Sequence, residues 1–268
     1  MKEFKGKAIY NPTGKAGEYA KWACNFYTGC SNQCDYCYCR KGVMSHVWSD
    51  KPKLKKCFTN EENAINVFES EMLKNKESLQ RDGLFFTFTS DPFIDDVIFM
   101  YLEAAEMCVY HGIPVTFLTK RADFLKRIEK TLFYSRRNLV CFGFTLTGHD
   151  ELEPFASTNL ERIDTMEQLN NLGFKTFASI EPIVDFANSM LMIKASSIHC
   201  DLFKVGLMSG KKYDVVEAQK FVEDLMKMKY CKFYIKESLT KLTGYTNKDS
   251  DNFVSSNYNL FLGREVNE

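Results

Sequence analysis

The chain has 268 residues, with 35 basic and 35 acidic side chains and a formal net charge of zero. A hydrophobic share of 45% supports one large α/β domain or two small ones, and no run approaches the roughly 18 apolar residues that read as a membrane span. This balance excludes a strongly basic nucleic-acid footprint at chain level, and the ten scattered cysteines do not form the framework of a small secreted disulfide domain. Met1-Lys2-Glu3-Phe4-Lys5 leads into no apolar leader, so a reducing cytoplasm is the expected location. No internal repeat or linker stands out, which makes a single domain the default.

Residues 1–23 carry mixed charge, with Gly14 and Gly17, and read as an N-terminal extension. A first strand is expected near Cys24–Thr28. A loop follows from Gly29 to Arg40, where Gly29 permits a tight backbone. Lys51-Pro52-Lys53-Leu54-Lys55-Lys56 is the densest basic run, a solvated loop or a phosphate-facing patch. Thr59 and Glu62 predict a capping box for a helix that runs to about Gln80.

From there the pattern alternates. Strands are predicted at Leu84–Thr89, Pro114–Thr119, Leu139–Leu146, Phe174–Ile180, Asp201–Gly206 and Lys232–Lys236. Helices are predicted at Asp96–His111, Ala122–Phe133, from a Thr158/Glu161 capping box to Gly173, near Asn188–Ser197, and at Tyr213–Met228. Such βα repetition implies a parallel sheet, and periodicity alone leaves a barrel and a doubly wound sheet both open. In either, chemistry belongs at the C-terminal ends of the strands.

The loop Cys30-Ser31-Asn32-Gln33-Cys34-Asp35-Tyr36-Cys37 carries three thiols at spacings of four and three. Three thiolates around one inorganic centre are one short of a closed cysteine-only site, and leave a coordination position open. A zinc site or three unrelated buried cysteines are the alternatives. A zinc ribbon needs a second cysteine pair, and the remaining cysteines supply none.

The spacing resembles that of the radical S-adenosylmethionine (SAM) enzymes. Asn25-Phe26-Tyr27-Thr28-Gly29-Cys30 and Tyr36-Cys37-Tyr38-Cys39-Arg40 resemble the Asn-Pro-Tyr-Arg-Gly-Cys … Cys-x-Tyr-Cys-Tyr-Ala-Arg pattern of the spore photoproduct lyase-like branch, from which Phe26 and Cys39 depart. The resemblance implies a partial (β/α)6 TIM-like barrel over 24–236, with 237–268 as a tail packed on it. It implies a [4Fe-4S] cluster on Cys30, Cys34 and Cys37, with SAM on the fourth iron. Thr89, Ser90 and Asp91 would receive the SAM amino group, or simply cap the next helix. Lys120 would approach the SAM carboxylate as a charge-assisted donor. Thr145 would contact the ribose, in a Phe-Thr-Leu-Thr segment similar to the branch's Ile-Ser-Ile-Thr, and Tyr36 would lie beside adenine and cluster. Glu181, in Ile180-Glu181-Pro182-Ile183, would contact ribose or substrate, or be a surface carboxylate. Glu151-Leu152-Glu153-Pro154 and Glu161-Arg162 also resemble the branch.

The implied chemistry is reductive cleavage of SAM to a 5′-deoxyadenosyl radical that abstracts hydrogen from a substrate. It needs an external one-electron donor of flavodoxin or ferredoxin type. Photoproduct lyases keep a hydrogen-donating cysteine directly before their Thr-Ser-Asp, where this chain has Phe88. Tyr38 stands at their relay tyrosine. Cys141 shares strand parity with Thr145 and is a candidate hydrogen donor, as is Cys39, with plain burial as the alternative for each. Of the four histidines, at no metal-ligand spacing, His149 falls on the active face. Three functions stay open: a radical enzyme acting on nucleic acid or a nucleotide, one acting on a peptide or small metabolite, and a non-catalytic metal- or cluster-binding interaction module.

Overall fold

The computed structural model describes residues 3–265. Strands β1 (Ile9–Tyr10), β2 (Ala23–Cys24), β3 (Tyr27–Thr28) and β4 (Lys53–Leu54) precede helices α1 (Glu61–Lys74) and α2 (Lys76–Asp82). Then come β5 (Leu84–Phe86), α3 (Ile98–Tyr110), β6 (Val115–Thr119), α4 (Leu125–Ile128), β7 (Val140–Thr145) and α5 (Asn159–Asn171). The alternation continues through β8 (Lys175–Ile183), α6 (Phe186–Ser196), β9 (Leu202–Leu207), α7 (Val215–Lys227) and β10 (Phe233–Ile235). A C-terminal segment adds α8 (Glu237–Thr243), β11 (Tyr258–Asn259) and β12 (Arg264–Glu265).

The main sheet has the order β1-β2-β5-β6-β7-β8-β9-β10. Every pair from β2 to β10 is parallel, and β1 joins β2 antiparallel. The fold is therefore mixed α/β around a mostly parallel sheet. Among the described residues, the edge strands β1 and β10 do not pair with each other.

The two faces of this sheet differ. Cys24, Phe86, Phe117, Phe142, Ala178, Phe203 and Ile235 share one core with helix side chains such as Phe68, Tyr101, Met166 and Leu225. On that face Phe86, Phe117 and Phe142 stand in register on adjacent strands, with ring centroids 5.5 Å apart at each step. Such cross-strand aromatic pairs add about 0.5–1.5 kcal/mol beyond area burial. The other face carries Ala23, Phe85, Cys141, Phe177, Leu202 and Tyr234 and, among the described residues, packs against no α-helix. It is covered by Tyr19 and Ala20 from the N-terminal segment and by Val254, Tyr258, Leu260 and Phe261 from the C-terminal one. Helices on one face and strands in chain order separate this winding from a doubly wound sheet, which has helices on both.

Several expected boundaries are corrected. The first strand ends at Cys24, because Tyr27–Thr28 turns away to pair with Lys53–Leu54. Asn60, not Thr59, caps α1, its side chain accepting from Asn63 N at 2.8 Å, and the helix breaks at Asn75. The helix expected over Ala122–Phe133 shrinks to Leu125–Ile128, because Thr131 caps a separate 3₁₀ turn over Leu132–Ser135. α6 starts two residues early, on an Asp185 cap. The Thr158/Glu161 capping box forms as expected.

Candidate cofactor site

The cysteine loop is fixed by its backbone before any ligand is considered. Gly29 has φ +86°, and a Cβ there would meet Lys51 O at 2.4 Å, so only glycine fits. Cys30 N donates to Ser49 O at 3.0 Å, and Cys37 N to Cys34 O at 3.1 Å. At the loop's entry, Asn25 Oδ1 accepts from Thr87 Oγ1 at 2.6 Å and from Phe88 N at 2.9 Å.

Asp91, buried after β5, is the hub that places this loop. Its Oδ2 accepts from Asn32 Nδ2 and from Lys120 N, both at 2.8 Å. Its Oδ1 accepts from Thr119 Oγ1 at 2.6 Å and from Phe93 N at 3.0 Å. Four donors use the carboxylate's acceptor capacity, so Asp91 ties the loop to β6 rather than offering a free oxygen. Thr89 Oγ1 donates to Tyr27 O at 2.6 Å. The Ser90 hydroxyl between them is buried without a partner.

A second tie runs from Tyr36 to β7. Tyr36 Oη donates to Glu153, which also accepts from Arg162. Arg162 Nη1 donates to Thr145 O at 2.7 Å, and Asp35 N donates to Leu152 O at 2.9 Å. Lys120 Nζ lies 5.6 Å from the Tyr36 ring centroid, a cation–π distance. Burial pulls the Lys120 ammonium down, but Cys34 and Glu153 outweigh it and raise its pKa, so it stays charged. Asp91 and Lys120 thus stand against the loop with Ser90 beside Asp91, and Thr145 is linked to it through its carbonyl, Arg162 and Glu153.

Glu181 is held in a separate cluster. It accepts from Lys236 Nζ at 2.6 Å and from Tyr19 Oη at 2.8 Å. Tyr19 Oη and Ser179 Oγ are 2.6 Å apart, and Ser179 is the register partner of Thr145. Cys141 is not brought to the site. It lies at the opposite end of β7, and between it and Thr145 the Phe177 ring occupies the space over Gly143, where a Cβ would be 1.9 Å from ring carbon. Tyr38 is 53% exposed and its Oη donates to Phe88 O, beside the loop.

Among the described residues no three His, Cys, Asp or Glu side chains close around a single ion. A cubane bonds each thiolate to a different iron, so its sulfurs stand farther apart than those of a mononuclear site. The donor set fits such a cluster. All three cysteines are free thiols, and the buried Ser90 Oγ, Asn32 Oδ1 and Arg40 Nε beside them lack partners. A hydrogen bond from Cys39 holds the Cys37 thiol down at about 6 and raises Cys39, whereas burial, with Asp91 adding, pushes Cys30 up to about 12.

Sequence reasoning gave no role to Asn32, Tyr19 or Lys236, and it noted Glu153 and Arg162 only as motif letters. Lys236 was legible in outline, because its parity with Tyr234 on β10 puts it on the same face as Tyr234, away from the α-helices. Nothing in residues 14–20 signals that Tyr19 reaches across the sheet.

No family model matches the chain. It is 24% identical, over 68% of its length and 67% of the relative's, to the uncharacterized protein MJ0683 of Methanocaldococcus jannaschii. In fold it is similar to Streptococcus suis SuiB. The SuiB structure bound to S-adenosylmethionine gives a TM-score of 0.54 at 12% identity, covering 80% of this chain and 51% of that one. SuiB bound to the precursor peptide SuiA gives 0.53 at 13% identity, covering 82% and 51%. The chain spans about half the length of the SuiB structures it matches. Among the described residues no helix is long and apolar enough to cross a membrane.

Proposed function

We propose that this chain is a radical SAM enzyme of partial (β/α)6 type. The observation that carries the reading is the three-thiol loop pinned through Asn32 and Asp91 to the Lys120 backbone, with a buried, unpartnered Ser90 hydroxyl beside it. The likeness of fold to a protein solved with S-adenosylmethionine supports it.

Cys30, Cys34 and Cys37 would hold a [4Fe-4S] cluster. The chemistry such a cluster supplies when bound is one electron for the sulfonium of SAM, breaking the C5′–S bond and leaving a radical that takes hydrogen from a substrate. The Ser90 hydroxyl would accept from the SAM ammonium, with Thr89 beside it. Lys120, kept charged by Cys34 and Glu153, would face the carboxylate. Thr145 and Tyr36 would border ribose and adenine. Asp91 positions and does not bind. Glu181, with Ser179 and Tyr19, would face the substrate side. Tyr38 is retained as a candidate relay. Cys141, beneath Phe177, is given no role in hydrogen transfer.

Within the superfamily the loop motif favours the spore photoproduct lyase-like branch, and hence a nucleotide or nucleic acid. Phe88, in place of that branch's cysteine, separates the chain from photoproduct repair itself. A second reading, a peptide or small metabolite, is favoured by SuiB having been solved with its precursor peptide. The deciding experiment is anaerobic: reconstitute with iron and sulfide, add SAM and dithionite, and quantify 5′-deoxyadenosine by mass spectrometry. Product lost in Cys34→Ala supports the reading. Bound zinc, or a full cluster that cleaves no SAM with or without candidate substrates, points instead to a non-catalytic module.

A further inference from the structure

The chain is neutral overall, yet Arg40 to Cys57 holds six basic residues and one acidic one, Asp50. This segment lies alongside the cysteine loop. Thr28, two residues before Cys30, pairs with Lys53, and Cys30 N donates to Ser49 O at 3.0 Å. Gly29 is glycine because the Lys51 carbonyl leaves no room for a Cβ. Lys41, Lys51, Lys53 and Lys56 are exposed, and among the described residues none of them pairs with a carboxylate. Trp48, 42% exposed, lies in the same segment with the Arg40 guanidinium 5.2 Å from its ring centroid.

The segment is rooted on the helix side of the sheet. Lys55 N donates to Phe26 O at 2.9 Å, and Phe26 and Phe58 belong to the core shared with the helices. A substrate would approach from the other face, where Thr145, Ser179 and Glu181 stand. A basic patch on the far side of the loop is poorly placed to guide a polyanionic substrate to those residues. It is well placed for a partner that needs only to come close to the thiolates.

Resting on the reading above, we propose that Lys41, Lys51, Lys53 and Lys56, with Trp48, form the docking surface for a small acidic one-electron carrier protein. The reduced carrier loses one electron and the centre held by Cys30, Cys34 and Cys37 gains it, with no other bond or proton moved. Charge complementarity speeds such encounters by one to three orders of magnitude at low salt.

The test compares wild type with K51E/K53E/K56E and the milder K51Q/K53Q/K56Q, using a reduced flavodoxin as the probe. Three readouts are taken: Kd for the carrier by fluorescence anisotropy against ionic strength, SAM cleavage driven by the carrier, and SAM cleavage driven by dithionite. Expected is at least a tenfold weaker Kd and a tenfold slower carrier-driven reaction for the glutamate variant, a smaller loss for the glutamine variant, and unchanged dithionite-driven cleavage. Unchanged carrier binding overturns the proposal. So does an equal fall with both reductants, which would make the segment a support for the loop. Loss of affinity for a labelled oligonucleotide, with carrier kinetics unaltered, assigns the patch to nucleic acid and also overturns it. If wild type binds the carrier through these lysines but dithionite yields no SAM cleavage, the radical reading fails while the docking surface stands.

Discussion

Arg162 and Glu153 form an ion pair with both side chains at 0% exposure, and it stands between the cysteine loop and the end of β7. Glu153 reaches the loop through Tyr36, and Arg162 reaches β7 through the Thr145 carbonyl. Removing one partner leaves the other charge buried and unpaired, which costs about 3–5 kcal/mol. Arg162→Met should therefore lower the urea midpoint strongly, and Glu153→Leu likewise. The double variant should lose clearly less than the sum of the two, because no charge is left stranded. Additive losses would show that the two groups act independently.

Asp91 and Ser90 are neighbours with different tasks, and substitution should separate them. Asp91→Asn turns one acceptor into a donor that must face either Asn32 and Lys120 or Thr119 and Phe93. The cysteine loop then loses its anchor, and iron bound per chain after reconstitution should fall. Ser90→Ala removes a hydroxyl with no protein partner. It should leave iron content intact and weaken SAM binding by about ten- to a hundredfold, the size of one hydrogen bond to a charged group. Equilibrium dialysis with SAM and an iron assay on the same samples distinguish the two.

What was legible in the sequence follows from which forces are local. The strands from Leu84 to Lys236 could be placed because their apolar runs and helix caps are written in adjacent residues, and the cysteine loop because its spacing is chemistry in itself. The fate of Cys24–Thr28 was not legible: the chain leaves the sheet after Cys24 because β3 finds a partner in Lys53–Leu54, a contact no local pattern encodes. The same holds at the site. Parity correctly put Cys141 and Thr145 on one face, but depth along the strand depends on Phe177 arriving from β8 over Gly143. Asp91 reads as an open carboxylate until the donors from Asn32 and β6 are counted.

His149, after β7, bridges two carboxylates, with Nδ1 at 2.6 Å from Glu151 and Nε2 at 2.5 Å from Asp185, the cap of α6. Burial alone would lower its pKa, but these bonds raise it above the ordinary value. The stabilisation is complete below the ordinary histidine pKa of about 6.5 and is lost as pH rises through the raised value. The difference in Tm between wild type and His149→Asn should be larger at pH 5.5 than at pH 9. Equal differences at both would show that the imidazolium contributes nothing.

Lys204, on the face of β9 covered by the N-terminal segment, is the opposite case. Its Nζ donates to Glu18 O at 3.1 Å and Tyr19 O at 2.9 Å, and lies 5.0 Å from the Tyr19 ring and 5.9 Å from that of Tyr234. Burial, with Lys236 adding, lowers its pKa to about 7, against the partial support of Cys141, Glu18 and Glu181. In the unfolded chain the lysine keeps its proton to about pH 10.4. Between the two values the unfolded state binds more protons, so stability rises with pH across that window. Lys204→Met removes the titration. Urea unfolding at pH 6.5 and pH 9.5 should find wild type gaining on the variant by a few kcal/mol between the two. A gap that does not change with pH would mean that Lys204 stays protonated in the folded chain, its charge carried by the two carbonyls of the N-terminal segment.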